Sequence, residues 1–238
     1  YNFADGSVLS DLKLKDFKHL VNEIDKKFWK LKKIKDKKKF NNSCLKFYKD
    51  KTLNRIQLLF NQKIVNDDIE YINGQKTSKI FDILKKVDWK NLSDGVPSNY
   101  HGDFQPENII LNKKKITLID WRDDFDGNEE IGDIYYDLAK LEHALLVNGE
   151  MVRSKKYSVK VSKNKVSFKI TQKKNLLNFR KYFHEYIKSK NYDINKVKIL
   201  SALIYLNIAP LHQYPYNEFL FYYGKLNLIK LLKKDNEI

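Results

Sequence analysis

One cysteine, Cys44, stands in 238 residues, so neither a disulfide framework nor a cysteine-based zinc site can be built. Arginine is scarce as well: Arg55, Arg122, Arg153 and Arg180 are the only four among 46 basic residues. The others are lysines, spread in short runs such as Lys37 to Lys39 and Lys113 to Lys115. Arginine is the usual reader of phosphates and bases in fixed geometry. The net charge of +16 is therefore read as solvated lysine faces that attract a small anion, and nucleic-acid binding is not expected. Long apolar runs are missing too. The longest, Ile199 to Leu211, is interrupted by Ser201, Asn207 and Pro210 and falls short of the ~20 residues of a membrane span. With neither a span nor a targeting segment read from the chain, a cytoplasmic location is expected.

What is present is a globular composition, 42% hydrophobic and 13% aromatic, in a chain long enough to bury a core. Phe17, Leu20, Val21, Ile24, Phe28 and Leu31 recur at steps of three and four, which predicts an amphipathic helix with Ser10 as its N-cap. Helical patterns follow over 45–65, 80–87 and 132–147, and three more close the chain near 174–190, 194–208 and 217–233. Asn73-Gly74 signals a type I′ hairpin. Tyr157, Val159 and Val161 alternate with polar residues, as do Val166, Phe168 and Ile170, marking a second hairpin. It is read either as a lid or specificity insertion or as a packing element. Two short strands, Asn108 to Leu111 and Lys115 to Asp120, sit between the helical halves. The fold class expected is α+β, mostly helical with a small β-rich centre.

That centre carries the chemistry. His101-Gly102-Asp103-Phe104-Gln105-Pro106-Glu107-Asn108 leads into the first strand, and Asp120 leaves the second, twelve residues after Asn108 and just before Trp121. A hairpin of this kind brings Asn108 and Asp120 to one end of the sheet. Two such oxygens suit Mg²⁺, which takes one or two carboxylates together with phosphate oxygens and water. Asp103 is left to orient or deprotonate a hydroxyl. A rival reading takes His101, Asp103 and Asp120 as a transition-metal hydrolase site, for which no second close histidine is found. His143 is read as a satisfied core histidine, Asp133 as a helix N-terminal carboxylate and Cys44 as a core filler.

The pattern His-x-Asp-x-x-x-x-Asn followed by Ile-Asp-Trp resembles the catalytic core of the aminoglycoside phosphotransferase and choline kinase family, and more distantly the protein-kinase catalytic loop. The resemblance implies a protein-kinase-like α+β fold, represented by its mainly helical C-lobe with a small β hairpin at the catalytic site. It implies Asp103 as catalytic base, and Asn108 and Asp120 as ligands of Mg²⁺ on ATP or GTP. His101 would hold the loop, and Asp137, within Gly132-Asp133-Ile134-Tyr135-Tyr136-Asp137-Leu138-Ala139, would brace it. Arg122, Asp123, Asp124 and Asp126, which follow on Asp120, are read either as a substrate-facing loop or as a solvated turn ending at Gly127. Tyr1 to Leu9, with Gly6 and Leu9, resembles the linker between lobes. Residues 1–11 are thus expected to be a linker remnant and 12–238 the C-terminal lobe, with its core at 98–140 and an inserted hairpin at 156–171.

Neither a Gly-rich phosphate loop nor a singled-out strand lysine precedes this core. The N-terminal β-lobe is accordingly expected to be largely absent and the chain to be a fragment of a longer kinase. The implied partners are a nucleotide, a small-molecule hydroxyl acceptor (a sugar, an amino alcohol or a related metabolite) and an N-terminal lobe or nucleotidyltransferase domain of the same longer protein. The strings Ile-Asp-Trp-Arg and Gly-Asp-Ile-Tyr-Tyr-Asp-Leu-Ala-Lys resemble kinase-like modules of surface-polysaccharide gene clusters. The alternative function is a non-catalytic kinase-like binding or assembly module, which the missing lobe and the basic surface favour.

Overall fold

In the computed structural model, residues 4–234 are described. Tyr1 to Phe3 of the expected linker and residues 235–238 of the expected lobe lie outside them. The segment expected to link lobes contributes a strand, β1 (Ser7–Val8), followed by a 3₁₀ turn, Leu9–Asp11. The first helix, α1 (Leu14–Lys27), opens at Lys13 and not at Ser10. Ser10 is buried in the preceding turn, where its carbonyl accepts from Asn175 Nδ2 at 2.9 Å, so a long-range contact decides its role. The helix also stops short of Phe28 and Leu31. Trp29 is drawn inwards by a hydrogen bond to Asp137, and Leu31, expected on the apolar face, is 65% exposed and bridges Ser98.

Next, α2 (Lys37–Leu45), a π-helical turn (Lys46–Asp50) and α3 (Lys51–Asn61) run on without a break. This rod begins eight residues before the apolar pattern does, because Asp36 Oδ1 accepts from the Lys39 N–H at 2.8 Å and caps it. The first hairpin, β2 (Tyr71–Ile72) and β3 (Gln75–Lys76), turns at Asn73 and Gly74 with φ of 48° and 77°. Both angles are positive, as a type I′ turn requires. Two short helices follow, α4 (Ile80–Leu84) and α5 (Trp89–Ser93), then β4 (Pro97–Ser98). The central hairpin is β5 (Ile109–Asn112) and β6 (Lys115–Leu118). After β7 (Gly132–Asp133) come α6 (Ile134–Leu146) and α7 (Gly149–Arg153). The chain then forms β8 (Tyr157–Ser162), β9 (Lys165–Ile170), α8 (Lys174–Ser189), α9 (Ile194–Ile208) and α10 (Tyr216–Lys234).

These strands make three small sheets among the described residues. One is ordered β1-β5-β6, one pairs β4 with β7, and one runs β3-β2-β9-β8 with β2 and β9 parallel. The second hairpin thus adds to the first, and its Tyr157 and Phe168 pack against Phe219 of α10, with ring centroids 5.0 and 5.7 Å apart. Those contacts pack the hairpin on α10.

At the centre lies α6, buried at every position from Ile134 to Leu145 and packed on α8 and α9, while α9 packs in turn on α10. The stretch Ile194–Leu211 is longer than the apolar run read from the sequence. By length and composition it could cross a bilayer, at a mean hydropathy of 1.2, and 67% of it is buried inside the molecule. Charged side chains on α6 are matched inside the core: Glu142 accepts from Arg180 at 2.6 Å and lies 2.9 Å from His184 Nε2.

Asp133 anchors the start of α6, as expected of a helix N-terminal carboxylate. Fully buried, it accepts from Val96 N (2.9 Å), Tyr135 N (3.1 Å) and the Tyr48 hydroxyl (2.8 Å). Burial raises its pKa, opposed by Lys196 and by these donors. Asp133→Ala removes the cap and leaves two buried donors without an acceptor. The expected loss is about 3 kcal/mol, read as a lower urea midpoint at unchanged slope.

Candidate active site

With Asp133 capping α6, Asp137 and Lys140 fall three residues apart on one face of the helix, under the loop that leaves β4. Asp137 is fully buried and receives that loop. Its Oδ2 accepts from the His101 N–H (2.8 Å) and from Trp29 Nε1 (3.1 Å), and its Oδ1 accepts from the Gly102 N–H (2.8 Å). Burial pushes the Asp137 carboxyl up to about 6, while the three donors pull it down, so the group is ionised at neutral pH. Gly102 holds φ at +79°, and a Cβ there would lie 2.4 Å from Arg122 Cβ, so both backbone shape and space demand glycine.

The next residue, Asp103, is half-buried and held from four sides. Its N–H donates to His101 Nδ1 (3.2 Å), and its Oδ1 is paired with Lys140 Nζ at 2.5 Å. Its Oδ2 accepts from Gln105 Nε2 (3.2 Å) and Asn108 Nδ2 (3.0 Å). Asn108 Nδ2 also reaches the Asp103 carbonyl at 3.0 Å, so both amide protons are used on one residue. The His101 ring is buried against Trp121, with centroids 4.7 Å apart. Burial lowers its pKa although Ile119, Asp103 and Asp120 favour the cation. The ring accepts from the Asp103 N–H across the turn of the loop.

Asp120 reaches the same end of the hairpin. Ile109 faces Leu118, and the Ile119 N–H donates to the Asn108 carbonyl at 3.1 Å, which ends the pairing one residue before Asp120. There the backbone turns left-handed, with φ of 55°, and the carboxylate is exposed, without a hydrogen-bond or ion-pair partner among the described residues. The Asn108 amide oxygen is likewise left without a partner among them. An unengaged amide oxygen and an unengaged carboxylate, both hard oxygen donors, fit Mg²⁺. The hydrolase reading fails, since no three His, Cys, Asp or Glu among the described residues converge as metal ligands.

Arg122, Asp123 and Asp124 follow Asp120 and Trp121 along the surface. The Arg122 N–H ties to the His101 carbonyl (2.9 Å), while its guanidinium lies over Phe47 at 5.1 Å. Asp124 Oδ1 accepts from the Gly127 N–H at 2.6 Å and closes a surface turn, and Asp123 is exposed. None of the three lines the cavity beside Asp103.

Two residues escaped the sequence reading. Lys140 closes the string that begins at Gly132; its signal is a lysine one turn after Asp137 on the same face of the helix. Lys51 is the other. It lies 4.2 Å over Phe47, and burial together with Arg122, Arg55 and Lys140 pushes its pKa down to about 7. His143 was expected to be satisfied. It is buried, yet neither ring nitrogen has a well-formed partner.

Asp137→Asn keeps the shape but turns an NH₂ towards an N–H donor. A loss of about 2–4 kcal/mol is expected, with faster hydrogen exchange at the Gly102 amide. For Lys51 the folded pKa lies below the ordinary 10.5, so the unfolded chain binds more protons between pH 7 and 10.5. Stability should therefore rise with pH across that window. Melting curves of Lys51→Met at pH 7 and 10 should lack this gain.

No protein-family model matches the sequence, and no curated protein matches it. Among solved structures, a choline kinase from Cryptosporidium parvum Iowa II is similar to it at 13% identity, over 99% of this chain and 69% of that chain, with a TM-score of 0.35.

Proposed function

We propose that the chain carries the catalytic core of a phosphotransferase that moves a phosphoryl group from ATP or GTP to a hydroxyl of a small molecule. The observation that carries this reading is the double hydrogen bond from Asn108 to Asp103, which orients the carboxylate and leaves the amide oxygen without a partner among the described residues. Asn108 and Asp120 are the residues that would hold Mg²⁺, which when bound offsets phosphate charge. Asp103 acts on the acceptor. A carboxylate has about four lone-pair positions; Lys140, Gln105 and Asn108 occupy three of them. The remaining one, on Oδ1, is open to the hydroxyl proton.

Lys140 holds Asp103 in place and sets positive charge where negative charge gathers during transfer. His101 and Asp137 keep the loop rigid, so positioning rather than covalent chemistry supplies the rate. A sugar, amino alcohol or related metabolite is the proposed acceptor, in the cytoplasm and in surface-polysaccharide synthesis, with a nucleotide-covering lobe or a nucleotidyltransferase domain as proposed partner. The second reading is a kinase-like binding module, favoured by the ion pair that already engages Asp103 Oδ1.

Asp103→Asn should reduce phosphoryl transfer about a thousandfold while the thermal shift with Mg²⁺ and ATP survives. Turnover near that of the unchanged protein would overturn the base assignment. A full-length protein that neither shifts with Mg²⁺-ATP nor transfers phosphate would support the binding module.

A further inference from the structure

Between α1 and α2 the chain carries its densest run of positive charge. Seven of the ten residues from Lys30 to Lys39 are lysines, and all seven are exposed. The segment is pinned to β4. The Lys32 N–H donates to the Pro97 carbonyl at 2.8 Å, the Asn99 N–H donates to the Lys30 carbonyl at 3.1 Å, and Leu31 bridges Ser98 between them. Lys37, Lys38 and Lys39 form the first turn of α2, where the helix dipole disfavours cations. Their placement does not serve the helix itself.

Little in the molecule neutralises this charge. Asp36 caps α2 by accepting from the Lys39 N–H, Asp94 pairs with Lys37 at 3.3 Å, and Asp126 lines a hollow beside Lys35 and Lys39 without pairing with either. Lys30, Lys32, Lys33, Lys35, Lys38 and Lys39 have no carboxylate partner among the described residues. Apolar surface sits among them. Leu31 is 65% exposed, and Phe28, three residues earlier, meets Trp121 edge-on at 5.2 Å, with that indole 48% exposed. Exposed leucine and tryptophan beside ammonium groups match the boundary of a lipid layer, where apolar tips enter the acyl region and lysines meet anionic headgroups. A soluble polyanion offers the charge without the apolar layer. Lysine in place of arginine also fits, because mobile headgroups call for point charges and not for forked donors in fixed geometry.

We propose that the segment Lys30–Lys39 docks the protein on a membrane leaflet rich in anionic phospholipid, with Leu31 as its apolar tip and Trp121 at its flank. Asp120 adjoins Trp121 in the chain, so docking sets the candidate site beside the leaflet and within reach of acceptors anchored there. That consequence rests on the phosphotransferase reading; the docking does not.

The full chain is sedimented with vesicles of phosphatidylcholine alone and with vesicles that contain about one third phosphatidylglycerol. Binding to the mixed vesicles should exceed binding to the neutral ones about a hundredfold at low salt, and fall about tenfold when salt is raised to roughly 0.5 M. Lys32→Glu, Lys33→Glu and Lys35→Glu together should weaken it about a hundredfold at an unchanged melting temperature, since all three side chains are exposed. Leu31→Ser should weaken it about fivefold and leave the salt dependence as it was. In Leu31→Trp, brominated lipid in the mixed vesicles should quench the added fluorescence. Equal binding to both kinds of vesicle, binding that survives the triple variant, or no quenching in Leu31→Trp would overturn the docking. A nucleic-acid duplex bound as tightly as the mixed vesicles at the same salt, and lost with the same three lysines, would overturn the membrane as partner. Docking by a protein that transfers no phosphate would leave the membrane surface standing and overturn the reaction.

Discussion

A buried carboxylate that receives two consecutive backbone N–H groups organises this molecule. Asp137 accepts from His101 and Gly102 with its two separate oxygens, and Trp29 adds a third donor from the far end of α1. An ionised group at full burial is costly unless it is hydrogen-bonded. Its three donors match it, and in doing so they join three stretches of chain that lie far apart in sequence. The loop has little freedom left: Gly102 is pressed against Arg122, and His101 is stacked on Trp121. Asp103 inherits its direction from those constraints.

The same helix carries further charge into the core. From Asp137 to His143, α6 presents a carboxylate, an ammonium, a second carboxylate and an imidazole, all buried. Away from the site the matching is complete, with Glu142 held by Arg180 and His184. Towards the site it is incomplete: one position on Asp103 stays open and the ring of His143 is unpaired.

Much of the arrangement was legible in the residues. The spacing of His101, Asp103 and Asn108, and the return of Asp120 after a short hairpin, marked the loop and its two strands, because turn chemistry and alternation are local properties. The three closing helices were legible for the same reason, their apolar stripes recurring within each segment. Ser10 and Leu31 misled, since a capping residue type and a periodic leucine are local signals that a carbonyl contact with Asn175 and the inward pull on Trp29 overruled. The Asp36 cap was visible as a residue type but stood before a lysine run with no apolar period to announce a helix.

By itself, the sequence determined which side chains could do chemistry and the order in which the chain meets them, because a motif is a fact of covalent spacing. Tertiary structure alone decided that Lys140 would reach Asp103, that His143 would border a cavity without partners, and that Asp124 would close a turn away from it. Those outcomes depend on how α6 is seated against loops distant in sequence. The interactions that seat it, buried hydrogen bonds across 35 to 108 positions, leave no local pattern to read.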